Sequence, residues 1–134
     1  MMIQEALRTE LATTTALTAL IGDRISPIRL PRKSAYPTIT YQLISDPQWY
    51  VMGGDSDLNQ PRIQVNCYAK TYTACIAVAA QVKTALEDFT GKLGGDSGVT
   101  VQHVYFNDEG DNFDEAADLF WIRHDYIIWY YDGS

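Results

Sequence analysis

Apolar residues at Ile3, Leu7, Leu11, Leu17, Leu20 and Ile21 recur at the spacings that keep side chains on one helix face. This predicts an N-terminal helix that Gly22 stops. Thr13, Thr14 and Thr15 are weak helix formers, so the middle of that helix depends on packing. Arg24 to Pro27 reads as a short extended piece, and Ile28 to Tyr36 as a loop or irregular arm. After Pro37, the apolar Ile39, Tyr41 and Leu43 alternate with Thr38, Thr40 and Gln42, the period of a half-buried strand. Asp46-Pro47 breaks it. Gln48 to Pro61 suits either a hairpin with a long tip or a loop, and a loop this long is uncommon unless it has a job.

The clearest alternation runs from Arg62 to Lys70, with Ile63, Val65, Cys67 and Ala69 on one face. Thr71 is a plausible cap for a second helix, whose apolar stripe is Tyr72, Cys75, Ala79, Val82, Leu86 and Phe89. Gly91 is expected to end it. Leu93 to Gly98 reads as turns, Val99 to Phe106 as a strand, Asn107 to Asp118 as an acidic loop, and Leu119 to Tyr131 as a long final strand. The order predicts an α+β fold, with an antiparallel or mixed β-sheet and two α-helices packed on one face. No internal repeat or linker divides residues 1–134, which read as one domain.

Charge changes this picture more than composition does. The net charge of −7 is concentrated in residues 107–134, which hold eight acidic groups against Arg123 alone. Residues 1–36 carry five basic and three acidic groups. Such a balance is poorly suited to gripping phosphate backbones. It suits an acidic face for a basic partner, or a passage to which DNA should not stick. No apolar run is long enough to cross a bilayer, so no membrane partner is expected. The first residues lack the apolar core of a signal peptide, which points to the cytoplasm at synthesis.

Candidate chemistry fails on spacing. Setting Gly110 at the sixth position of a calcium loop puts Tyr105 where the first carboxylate belongs. Gly94 to Gly98 precedes a strand and lacks the Lys-Ser/Thr of a phosphate loop. No strand-to-helix serine elbow exists. Cys67 and Cys75 fall on apolar faces and read as buried small hydrophobes. His103 and His124 have no metal-ligand spacing, and His124 reads as half-buried or paired with a cross-strand carboxylate. No catalytic residue, cofactor or metal is assigned. The three Trp, nine Tyr and four Phe have little basic interleaving, so they read as core or protein interface rather than a nucleic-acid platform.

Three stretches carry a resemblance. They are Leu20-Ile21-Gly22-Asp23-Arg24-Ile25 with Ala35-Tyr36-Pro37, then Arg62 to Ala69 running into Thr71-Tyr72, and then Phe113 to Tyr131 with Trp121 to Trp129 at its heart. In this order they resemble the tail completion, or tail terminator, proteins of long-tailed phages. The resemblance implies a structural virion protein without catalytic residues. It also implies a homo-oligomeric ring, typically a hexamer, at the head-proximal end of the tail. Such a ring caps the tube, fixes its length and meets the head connector or adaptor, while DNA passes through its lumen without specific binding. The tip Gln48 to Gln60 is where length is free to depart from relatives, so lumen and interface positions do not transfer residue by residue.

Two surfaces are expected to matter. The basic arm (Arg29, Arg32, Lys33) and the acidic block (Asp108, Glu109, Asp111, Asp114, Glu115) are complementary, and are expected to meet across a subunit boundary. The tip residues Trp49, Tyr50, Asp55 and Asp57 are candidates for lumen or tube contact, and the acidic block is a second candidate for the lumen. The alternatives are another head–tail adaptor, a tail-tube subunit, a binding module for small ligands or DNA, and an enzyme with an unrecognised site.

Overall fold

Two alternating segments set the centre of the molecule. In a computed structural model of the chain, which describes residues 2–29, 35–46, 50–51, 54–55, 58–95 and 98–131, they lie side by side as antiparallel strands. The elements in order are α1 (Ile3–Ala12), α2 (Thr15–Ile21), β1 (Ile25–Pro27), β2 (Thr38–Ser45), β3 (Tyr50–Val51), β4 (Gly54–Asp55), β5 (Leu58–Asn59) and β6 (Arg62–Ala69). They continue as α3 (Tyr72–Leu86), β7 (Gly91–Leu93), β8 (Val99–Asp114) and β9 (Leu119–Tyr131). The main sheet runs β1-β2-β6-β9-β8-β7, and β5 joins the end of β9. Only the β1–β2 pairing within it is parallel, so the sheet is mixed and the fold is α+β.

Strand alternation separates two faces. Ile39, Val65, Cys67, Ile122, Tyr126 and Ile128 share one face and are buried beneath the helices. The thiol of Cys75, on α3, approaches the Cys67 carbonyl oxygen at 3.1 Å, which fixes the helix directly over the strand. Both cysteines are buried and free, as expected. Burial pushes both thiols up, that of Cys75 to about 11, so each stays protonated at neutral pH.

The single N-terminal helix expected from periodicity is two helices. The hydroxyl of Thr13 donates to the carbonyl of Thr9, and that of Thr14 to the carbonyl of Glu10. The Thr13 amide still donates to Thr9, but the Thr14 hydroxyl takes the place of its own amide on Glu10 while that amide turns to Leu11, and the chain breaks between Ala12 and Thr15. The apolar repeat survives the break, because Leu7, Leu11, Leu17 and Ile21 are all 0% exposed. Burial of each such side chain stabilises by roughly 1.5–3 kcal/mol, more than the few tenths lost to each poor helix former. Gly22 ends α2 at φ +63.

Helix α3 also ends sooner than expected. It stops at Leu86, and Gly91 opens β7 instead. The Asp88 amide donates to the Val104 carbonyl and the Val104 amide to the Phe89 carbonyl, so these residues pair with β8 rather than extend the helix. At its other end the Ala74 amide donates to the Thr71 hydroxyl at 3.2 Å, the expected cap.

The largest departure is the acidic segment. Residues 107–114, expected as a loop, continue β8 and pair with β9 as far as Asp114 opposite Leu119, leaving 115–118 as the turn. A register shift between Phe106 and Asp108 makes Asn107 the extra residue. Beyond it Glu109, Asp111 and Phe113 lie on the helix-bearing face, and Asp108, Asn112 and Asp114 on the other. Phe113 packs on Phe120 with ring centroids 4.8 Å apart. Backbone pairing to β9 decides this segment, since its side chains are exposed and carry no apolar period.

Candidate assembly interface

The acidic strand is built from the β9 side. Arg123 reaches Asp125 at 2.5 Å and Asp108 at 3.3 Å, bridging two carboxylates that lie opposite each other in register. Asp125 is buried and its pair needs the guanidinium, whereas Asp108 is largely exposed and its bridge contributes little. On the helix face Glu109 meets His124 Nε2 at 3.2 Å, and Asp111 accepts the Tyr72 hydroxyl. Asp114 accepts the amides of Ala116 and Ala117, closing the turn that leads to β9.

His124 is buried, and its Nδ1 lies 3.0 Å from the Tyr126 hydroxyl. Burial pushes the Tyr126 phenol well up, so it stays protonated, and the Glu109 carboxylate at Nε2 can only accept, which leaves Nδ1 of the neutral ring to accept from the phenol. The remaining proton therefore sits on Nε2 and is donated to Glu109. Burial lowers the imidazole below its usual range against the pull of the Glu109 carboxylate. The expected carboxylate partner is thus present, on a histidine more deeply buried than its sequence context suggests.

Beside this row runs a groove. Tyr72, Ile76, Ala79 and Ala80 of α3 form one wall, Glu109 to Asp111 of β8 the other, and Ile122 lines it with them. Its volume is about 270 Å³. A second concavity of about 330 Å³, lined by Phe113 and Phe120, shares Tyr72 and Asp111 with it. Tyr72, Ile76 and Phe113 are each more than two-fifths exposed. Tyr72 was expected in the core stripe and instead stands at the rim. The available signal was Ile76, Ala77 and Ala80, which make α3 apolar beyond the stripe that the sheet covers.

The opposite face of the sheet carries polar groups and aromatics. Gln64 donates to Asn66 at 2.8 Å, and Asn66 to Thr40 at 3.4 Å. Tyr68 stacks on Trp121, and Tyr105 meets Trp129 edge-on. The first pair joins register partners and the second a diagonal pair across β8 and β9, so the sheet supplies an aromatic platform without a helix.

The basic residues lie elsewhere. Arg29 is exposed just beyond β1, at the other end of the strand order from β8. Arg29 and the acidic block therefore stand toward opposite edges of one sheet. Arg32, Lys33, Trp49 and Asp57 lie outside the described residues. Tyr50 and Asp55 are backbone register partners in the β3–β4 ribbon. Glu115 is exposed in the turn after β8. Among the described residues, no three His, Cys, Asp or Glu side chains are grouped to hold a metal ion.

An acidic strand edge, an apolar groove beside it and an aromatic polar face are features that other protein surfaces can cover. The chain belongs to the family described as tail completion protein gp17, whose model matches residues 5–131. It is thus a structural protein of the phage tail. A chain of the solved virion of a native gene transfer agent (GTA) particle has a similar fold, with TM-score 0.73 and 20% identity. The match covers 96% of this chain and 94% of that chain. No curated protein matches this sequence.

Proposed function

We propose that this chain forms a ring, with six copies as the working number, that caps the tail tube at its head-proximal end. The ring terminates tube growth and joins the tail to the head connector. The observation that carries the reading is the family match across residues 5–131. The geometry supports it in one respect. A closed ring needs two different patches on each subunit, and Arg29 and the acidic strand stand at opposite sheet edges. Arg32 and Lys33 extend the basic patch, and Asp108, Glu109, Asp111, Asp114 and Glu115 make the acidic one. The tip with Trp49, Tyr50, Asp55 and Asp57 meets the lumen or the tube, where carboxylates repel phosphate and let DNA pass unretained. Subunits wait in the host cytoplasm until a tube is ready.

The test is native mass of the purified chain, alone and with purified tail tubes, with electron microscopy of the tube ends. A single ring at one end, and tubes that no longer lengthen when tube protein is added, is the expected result. Long tubes made by this chain alone would identify a tube subunit instead. Binding to isolated heads with no affinity for tubes would identify an adaptor.

A further inference from the structure

We infer that the groove between α3 and β8 receives Ile28 and Arg29 of the next copy of this chain. This deepens the ring reading and rests on it.

The groove asks for a particular occupant. Its walls offer Tyr72 and Ile76 to an aliphatic side chain, and the adjoining concavity adds Phe113. Its rim offers the carboxylates of Glu109 and Asp111, and no Lys or Arg lines either concavity. Each carboxylate already accepts one bond, from His124 or Tyr72, and keeps acceptor sites for a guanidinium. The fitting group is an aliphatic side chain next to an arginine.

That pair exists at the other edge of the sheet. Ile28 is 66% exposed, the most exposed of the large hydrophobic side chains among the described residues, and Arg29 follows it. The backbone there is fixed, since the Ile28 amide donates to the Tyr41 carbonyl at 2.8 Å and the Arg29 amide to Pro27 at 2.7 Å. Ile28 holds φ +65, a conformation costly for a β-branched residue. A strained, solvated isoleucine on an anchored backbone is explained if burial against a neighbour recovers the cost. The groove flanks β8, and the pair follows β1, so one copy's knob and the next copy's groove meet head to tail without a two-fold axis.

The test uses the full chain with tail tubes. Ile28→Cys and Ile76→Cys together, under mild oxidation, should give a ladder of covalent multimers on a denaturing gel, and either change alone should not. The native Cys67 and Cys75 are buried and stay out of the reaction. Arg29→Glu and Asp111→Lys should each weaken ring formation about tenfold at low salt, and the two combined should recover it. Circular dichroism confirms that each variant is folded. Rings from the parent chain with no ladder, or unaffected by Arg29→Glu, overturn the contact and leave the ring reading standing. No ring from the parent chain on any tube overturns both.

Discussion

His124 is held from two sides, by the Tyr126 hydroxyl at Nδ1 and the Glu109 carboxylate at Nε2. Its folded-state pKa is lowered, so the unfolded chain takes up the proton first as pH falls below the ordinary histidine value of about 6.5. The stability this site contributes is complete above that value. It declines through the window between the ordinary value and the lower folded one. Denaturant midpoints measured across that window should fall on acidification, and His124→Gln should flatten the slope. A second residue-scale expectation concerns Gly94. It holds φ +87, and a Cβ there would lie 3.0 Å from the Ala6 Cα, while its amide donates to Glu10 at 3.1 Å. Gly94→Ala should cost at least about 1 kcal/mol, visible as a lower melting temperature, because it adds strain where α1 meets the turn after β7.

At the scale of elements, those legible in the sequence were those whose period reports one-sided burial. The strands read at Arg62 to Lys70 and at Leu119 to Tyr131 form, the first ending one residue sooner at Ala69, and the sheet is mixed, as allowed. Thr71 also caps α3 as read, and Thr71→Ala should lower stability by about 1 kcal/mol in a denaturation experiment. Two features escaped because local chemistry and long-range pairing act against the period. The threonines split the first helix through hydroxyl bonds that leave the apolar repeat intact. The acidic half of β8 is set by β9, more than ten residues away along most of the pairing, and the extra Asn107 resets its alternation. A polar sequence that is exposed on both faces gives no sign of a strand. The candidate interface was half legible for the same reason. Its charges could be read off, but the groove arises from the pairing of β8 with β9, which sets Glu109 to Asp111 beside α3.

For the whole molecule, the order of the strands converts a one-dimensional charge gradient into a polarity across the sheet. Basic Arg29 lies beyond β1, and the carboxylates lie on β8 at the far side. The tail-completion family and this polarity lead to one experiment, the fate of tube ends when the chain is added, with arrested growth as the expected outcome. The exposed stretch of β8 has a further consequence. Beyond Val104, whose backbone pairs with Asp88 and Phe89, β8 borders on no further strand among the described residues. Such an edge ordinarily invites another chain to dock on it. Two copies approaching through this edge would bring acidic rows together, and like charges placed opposite repel. The carboxylates should therefore oppose pairing of two free copies through this edge. Light scattering on the purified chain should stay flat at neutral pH and low salt, and rise when Asp108→Asn and Asp114→Asn are combined.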